Sequence, residues 1–159
     1  MFSGRLTQAI VHLLDRVTPA SDDDLPEHLR TGRRGEEDAY FYLRRRGYTI
    51  IAANYRSPNH RGEIDLVGWH GGVLCFIEVK TRTTRDVKPA EAAVDREKRD
   101  ELRRVARDFL QSMPRNRQPG EYRFDVVAVY YDHGSEQATF ELFQNAFSTA
   151  YNHKFARSH

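Results

Sequence analysis

The sequence contains one cysteine, Cys75, and no apolar run that approaches the roughly 20 residues needed to span a membrane as a helix. A single cysteine excludes a disulfide framework within the chain, which fits a reducing compartment. Charged residues make up 30% of the chain and the mean hydropathy is -0.74. We therefore expect a soluble, cytoplasmic protein in which Cys75 is a small buried residue of a strand.

Lysine is also scarce, because 21 of the 25 basic residues are arginine. The formal net charge is only +2, but residues 1–27 contain two arginines and five acids, so that residues 28–159 have a net charge of +5. The planar guanidinium of arginine suits phosphate groups. An arginine-rich composition is also what a GC-rich genome encodes, so it favours a nucleic-acid partner only modestly.

The order of predicted elements gives the domain organisation. Residues 2–17 have helical spacing of apolar side chains and precede an acidic, proline-containing linker, so we expect residues 1–27 to form a docked or partly disordered extension rather than a membrane-surface helix. Residues 28–147 form the main domain and 148–159 a tail. Within the domain the patterns predict a helix (28–46), a strand (48–56), a hairpin (62–82), a helix starting at Pro89 (89–113) and two strands (121–131 and 137–147).

This αβββαββ order predicts an α/β fold with a mixed sheet and flanking helices. The helix between the third and fourth strands allows a crossover to a parallel neighbour, and we expect the last two strands to be antiparallel.

The turn of the hairpin fixes its register. Gly71-Gly72 suits a two-residue primed turn, which would pair His70 with Val73. If that register continues, Asp65 lies opposite Glu78, and Glu63 lies opposite Lys80.

Four charged residues would then share one face of the hairpin, because alternate strand residues point to the same side. Glu63 lies opposite Lys80, which is an ordinary cross-strand pair on a solvated face. Asp65 lies opposite Glu78, and two opposed carboxylates require a shared proton or a cation. A divalent metal site and a solvated face are both open on this argument, and a bulge would remove the pairing.

A helical projection places Glu36 on the inward stripe of the first helix. Glu37 lies at the edge of that stripe and Asp38 on the far side. An inward-facing acid needs a partner, either a cation at a functional site or an arginine such as Arg33 or Arg44. The apolar residues of the stripe are Ala39, Tyr40 and Leu43.

The combination of a helix acid, an Asp and a Glu-x-Lys across a hairpin resembles the PD-(D/E)XK nuclease superfamily, with its restriction-endonuclease-like fold. More closely, the chain resembles the YraN-like bacterial family, which is similar to archaeal Holliday junction resolvases. The matching stretches cover residues 32–147: "GRRGEEDAYFYLRRRGY", "NYRSPNHRGEIDLV", "FIEVKTR", "AVDREKRDELRRVARDFL", "RFDVVAV" and "NAF". The superfamily's proline before the aspartate is replaced here by Ile64.

The resemblance implies a role for each motif residue. Asp65 and Glu78 would be ligands of Mg²⁺ or Mn²⁺, with the Val79 carbonyl as a third. Lys80 would orient the attacking water and offset charge on the phosphate, and Glu36 matches the helix glutamate of the resolvases.

Basic residues near these motifs would contact the nucleic acid. Lys98 matches a position from which the second helix contributes a basic residue, and proximity suggests phosphate contacts for Arg33, Arg34 and Arg61.

The function implied is a metal-dependent endonuclease that acts on DNA, with branched or single-stranded DNA as substrate classes and RNA still open. A non-catalytic nucleic-acid-binding or repair-accessory module is the alternative. A homodimer is also implied, since resolvase-like enzymes cut two symmetric strands.

Overall fold

The computed structural model describes residues 25–83, 94–132 and 137–150. The extension predicted for residues 2–17 lies outside these residues, as does the tail from residue 151 onward. The elements are α1 (Glu27–Arg45), β1 (Thr49–Arg56), β2 (Glu63–His70), β3 (Val73–Arg82), α2 (Arg96–Ser112), a 3₁₀ turn (Arg115–Arg117), β4 (Tyr122–Tyr131) and β5 (Ala138–Phe147). This order confirms the predicted αβββαββ arrangement.

The five strands form one mixed sheet in the order β1-β2-β3-β4-β5. Strands β3 and β4 are parallel, and the other three neighbouring pairs are antiparallel. The parallel pair follows from the connection through α2, as predicted, because a parallel neighbour requires a crossover. No helix in the described residues has both the length and the apolar character needed to cross a membrane.

The two helices pack on opposite faces of the sheet. Ala39 and Leu43 of α1 are fully buried against one face, and Leu102 and Val105 of α2 are buried against the other. Cys75 is fully buried, as predicted, and it lies on the α1 side of the sheet. The sheet is therefore the middle layer of three. Side chains of α1 and α2 approach the central strands from opposite faces.

Helix α1 ends where the sequence predicts. Gly47 has a φ of +90°, its N–H donates to the Arg44 carbonyl, and the Tyr48 N–H donates to the Leu43 carbonyl. These two bonds form a Schellman motif, which satisfies carbonyls that the last turn would leave unpaired. Tyr48 is thereby turned into the core at the start of β1.

Helix α2 begins later than predicted. Its first residue is Arg96, and the side chain of Asp95 caps it by accepting a hydrogen bond from the Lys98 N–H at 2.9 Å. The predicted start at Pro89 lies outside the described residues, but Val94 and Asp95 are not helical. An N-terminal cap adopts a non-helical backbone, so the cap at Asp95 excludes helix immediately before it.

A buried polar network joins β1, β4 and β5 on the α1 side. Asp125 is fully buried and accepts hydrogen bonds from the Tyr48 hydroxyl, the Arg123 Nε and the Asn145 N–H, each at 2.9 Å. The Tyr48 hydroxyl in turn accepts from Gln144 Nε2 at 2.9 Å. Every member has a partner, so this network has a structural role.

Candidate functional site

The site lies where β2 and β3 separate. The register predicted from the Gly-Gly turn is confirmed over the five pairs nearest the turn. The ladder then ends, so the two further predicted pairs, Asp65 with Glu78 and Glu63 with Lys80, are not formed.

Asp65 bridges the point of separation with its side chain. Its Oδ2 accepts a hydrogen bond from the Val79 N–H at 2.7 Å, in place of a bond between the two backbones. The alternation of β2 also breaks here, since Leu66 belongs to the α1-side core and Ile64 to the α2-side core. A regular strand would place these two residues on one face.

Glu63 lies beside Glu36 rather than Lys80. Its Oε2 accepts a hydrogen bond from Arg56 Nε at 2.5 Å. With the Asn54 amide nitrogen turned toward them, Asn54 donates to Glu36 Oε2 (3.2 Å) and Glu63 Oε1 (3.0 Å). The prediction that all four charged residues share one face is therefore wrong. The physical reason is the irregular backbone, with Asn54 at a φ of +50° and the break at Asp65.

Glu78 is the buried acid at the centre of the site, with 5% of its surface exposed. Its Oε1 lies 2.8 Å from Lys80 Nζ and 3.9 Å from Lys98 Nζ. Its Oε2 is buried and has no hydrogen-bond partner within the described part of the chain. A buried carboxylate oxygen without a partner is costly, and a proton or a cation would satisfy it.

Lys98 reaches this site from α2. Its Nζ also lies 2.9 Å from Glu101 Oε1, so Glu101 fixes the ammonium beside Glu78. Gly62, directly before β2, packs against the Glu101 side chain so closely that an added Cβ would collide with it. The positive φ of Gly62 (+113°) also favours glycine.

Burial and mutual repulsion raise the pKa values of two of the acids. Burial is the largest cause for Asp65, and Glu78 and Glu36 add to it, so the pKa of Asp65 lies well above 3.8 despite the Val79 N–H and Lys98. Burial also raises the pKa of Glu36, followed by Glu63 and Glu78. These groups therefore interact as one acidic cluster.

Burial lowers the pKa of Lys98, but the hydrogen bond to Glu101 and the charges of Glu78, Glu101 and Asp65 outweigh it. The pKa of Lys98 is raised overall, so its ammonium is retained next to the acids.

Arg33 lies on the same side of α1 as Glu36, and its charge lowers the pKa of that acid. The proposed partner Arg44 instead contacts the Tyr40 hydroxyl, at 3.5 Å. Arg61 is exposed in the loop between β1 and β2.

Arg34 lies on a different side of α1 from Glu36, because residues two positions apart in a helix are separated by about 200° around its axis. Its guanidinium lies 4.9 Å from the centre of the Tyr131 ring and its Nε 3.9 Å from Asp38 Oδ2. Asp38 itself accepts a hydrogen bond from the Tyr131 hydroxyl at 2.5 Å. The prediction that Asp38 lies on the far side is therefore wrong, since α1 also contacts β4.

Three residues of this site did not emerge as site residues from the sequence: Asn54, Glu101 and Gly62. Asn54 carries a usable signal, since asparagine is depleted within strands and tolerates a positive φ. Glu101 and Gly62 meet only through the packing of α2 on the loop before β2, which sequence spacing does not reveal.

The residues present fit a hard divalent cation completed by other ligands. In the described ranges, no group of three or more His, Cys, Asp or Glu side chains is arranged to hold a metal ion by itself. Mg²⁺ is typically held by one or two carboxylates, with waters and phosphate oxygens completing its octahedron. Asp65 and the unpartnered Oε2 of Glu78 would supply those carboxylate ligands. The Val79 carbonyl, the third expected ligand, stays a prediction. The structure places Val79 in the ladder between β3 and β4, opposite Val127.

Comparisons with known proteins place the chain in a family. Residues 35–129 match the Uncharacterised protein family UPF0102. A UPF0102 protein of Koribacter versatilis is 57% identical over 133 residues, which cover 84% of this chain and 90% of that relative. A UPF0102 protein of Moorella thermoacetica is 41% identical over 118 residues, covering 74% and 95% of the two chains. These matches confirm the resemblance to the YraN-like family, and the chain belongs to the family UPF0102.

Proposed function

We propose that this protein hydrolyses phosphodiester bonds of nucleic acid with the help of Mg²⁺ or Mn²⁺. The observation that carries the proposal is the pair of acids at the separation of β2 and β3, the buried Glu78 and the half-buried Asp65. Glu78 Oε2 has no partner in the described residues, and the pKa of Asp65 is raised by burial and by Glu78. Buried polar atoms normally have hydrogen-bond partners, so the unpartnered Glu78 Oε2 supports a ligand site.

Each residue of the site has a definite role in this proposal. Asp65 and Glu78 hold the cation, and Asp65 is itself positioned by the Val79 N–H. When bound, the ion polarises the phosphate and lowers the pKa of a bound water. Lys80, held by Glu78 Oε1, orients the water and offsets negative charge that develops on the phosphate. Lys98 supplies a second positive charge from the opposite helix.

Glu36 has a raised pKa and lies next to the pair, so it suits exchange of a proton with the attacking water. Asn54 fixes its orientation. Arg33, whose charge acts on Glu36, and the exposed Arg61 are the predicted phosphate contacts. DNA, branched or single-stranded, is the substrate that the resemblance implies.

A non-catalytic nucleic-acid-binding module is the alternative. It is favoured by the ion pair between Glu78 Oε1 and Lys80 Nζ at 2.8 Å, which already neutralises half of the acidic pair. In that case the acids and lysines stabilise the fold, and no metal is needed.

Calorimetric titration of Mg²⁺ and Mn²⁺, with cleavage of a plasmid and a four-way junction measured in parallel, separates the two functions. The variants are Asp65→Ala/Glu78→Ala and, as a control that removes two exposed acids, Glu97→Ala/Glu121→Ala. We expect metal binding and cleavage in the wild type and the control, and neither in the site variant. Nucleic-acid binding without metal binding or cleavage in the wild type would establish the alternative.

A further inference from the structure

A cleft opens beside the carboxylates, between the first half of α1 and the end of β3. Its volume is about 730 Å³, and Glu36 and Val79 line it. We propose that this cleft takes the sugar–phosphate backbone of a single nucleic-acid strand that continues from the phosphate held at Asp65 and Glu78. The inference rests on the proposed function and names the substrate form for the same site.

Two glycines of α1, Gly32 and Gly35, have different structural explanations. An added Cβ at Gly35 would collide with the Thr81 hydroxyl, so packing of α1 on β3 explains this glycine. An added Cβ at Gly32 would have no atom within 4 Å. Glycine weakens a helix interior, and packing gives no reason for it at Gly32. Gly32 lines the cleft, where a missing side chain lets a ligand approach the helix backbone.

Part of the cleft lining has groups that contact a nucleic-acid backbone. The hydroxyl-bearing residues Thr81 and Thr83, together with His28 and Arg82, line it, and Arg82 Nε is buried without a hydrogen-bond partner in the described chain. Arginine and threonine are common phosphate contacts. No phenylalanine, tyrosine or tryptophan is among the described lining residues, so this part of the lining offers no stacking platform for bases. The acidic residues that line the cleft are Glu27 and Glu36.

The length of the cleft indicates how much of a strand it holds. His28, Gly32 and Glu36 are four residues apart along one side of α1, so the cleft follows the helix for about 12 Å at 1.5 Å per residue. At the roughly 3.4 Å per nucleotide of a stacked strand, that length corresponds to about three nucleotides.

The test fills the cleft from each wall and measures binding, with Asp65→Asn present in every protein so that no strand is cut. Gly32→Leu adds a side chain on α1, and Thr83→Glu adds a negative charge on the β3 side. Gly120→Leu is the matched control, since Gly120 is exposed, lies outside the cleft and also has no atom within 4 Å of an added Cβ. The probes are a fluorescein-labelled 12-nucleotide DNA strand and the same sequence as a duplex, followed by anisotropy.

We expect Gly32→Leu and Thr83→Glu to weaken single-strand binding by about tenfold or more, equivalent to the loss of one good contact. Gly120→Leu should bind like its parent, and circular dichroism should show all variants folded. Wild-type-like binding by both cleft variants overturns the inference, and so does an equal loss of duplex binding. The proposed function is tested separately, since metal-dependent cleavage lost on changing Asp65 and Glu78 supports it whatever the cleft variants do.

Discussion

The Asp65 carboxylate accepts a hydrogen bond from the Val79 N–H across the point where β2 and β3 part. A side chain thus replaces the backbone bond that would have continued the ladder. The sheet itself therefore fixes the acid, without a separate loop, and holds it next to Glu78 on the strand that supplies the N–H. Such fixed placement of a charged group is what catalysis of a charged transition state requires.

The first prediction concerns the stability of the metal-free protein. Asp65→Asn keeps an oxygen that can accept from the Val79 N–H but removes a negative charge from beside Glu78 and Glu36. We expect the variant to be more stable at pH 7.5 by about 1 kcal/mol or more, the cost of a buried charge without full compensation. Urea denaturation in the presence of EDTA measures the difference.

The pH dependence of that difference has a definite sign. The pKa of Asp65 is raised in the folded state, first by burial and then by Glu78, so the folded protein binds its proton more tightly than the unfolded chain. Its contribution to stability is complete below the unfolded value near 3.8 and is lost as the pH rises through the folded value. The advantage of Asp65→Asn should therefore be small near pH 4 and large at pH 7.5. An advantage that shrinks with rising pH would contradict this assignment.

The second prediction separates the two lysines. Lys80→Met should lower metal-dependent cleavage by about 10²–10³-fold, because a preorganised positive charge is lost. Metal affinity should stay equal or increase, since Glu78 Oε1 loses the ammonium 2.8 Å away. Lys98→Met should have a smaller effect, since Lys98 lies 3.9 Å from that oxygen. Calorimetry and single-turnover cleavage measure both variants, and weaker metal binding by Lys80→Met would be inconsistent with the proposed roles.

The third prediction concerns helix α1. Gly35→Ala should destabilise the fold by about 1–3 kcal/mol through its collision with Thr81. Gly32→Ala, three residues away, should stabilise it by roughly 0.5–1 kcal/mol, because the helix gains alanine in open space. Thermal denaturation tests both signs, and Gly35→Ala/Thr81→Ala should recover part of the loss. Equal effects at the two glycines would rule out the packing explanation.

The fourth prediction concerns the network around Asp125. Asp125→Ala should cost about 3–5 kcal/mol, because it leaves the Arg123 guanidinium without its buried partner. Tyr48→Phe should cost about 1–2 kcal/mol through lost hydrogen bonds. Tyr55→Phe, whose ring packs on Phe109, is the control and should change stability by less than about 0.5 kcal/mol. Denaturant midpoints that do not differ between Tyr48→Phe and Tyr55→Phe would contradict the role of this network.

The fifth prediction concerns the single cysteine. Cys75 is fully buried, and burial, together with Asp125, raises its pKa to about 12. The thiolate is the reactive form, so a thiol reagent at pH 8 should modify the folded protein far more slowly than the protein in concentrated urea. Mass spectrometry of the alkylated protein follows both reactions. Equal rates for the folded protein and the protein in urea would show that β3, which contains Cys75, opens readily.

Much of the fold follows from local sequence, because short-range chemistry determines it. The Gly-Gly turn allows one register, Gly47 ends α1 with a left-handed residue, and helical periodicity selects Glu36. The start of α2 was missed because apolar spacing continues before Asp95, whereas the cap alone determines where the helix begins.

The site itself was predictable only in part. Asp65, Glu78 and Lys80 emerge from the motif, but the strand separation that brings Glu63 to Glu36 depends on the left-handed backbone of Asn54 and on the side-chain bond of Asp65. The first is a local backbone conformation, and the second joins residues 14 positions apart on neighbouring strands, but strand alternation reveals neither. The prediction assumed a regular strand, and that assumption placed Glu63 on the wrong face.

The network around Asp125 also has a consequence for how the chain folds. Tyr48 and Asp125 are 77 residues apart, and Gln144 is 96 residues from Tyr48. Such distant partners meet only after β1, β4 and β5 have joined one sheet, because closing long loops is entropically costly. We therefore expect the network to form late in folding. Contacts that are absent from the folding transition state slow unfolding without changing the folding rate, so these few buried bonds would prolong the lifetime of the native state.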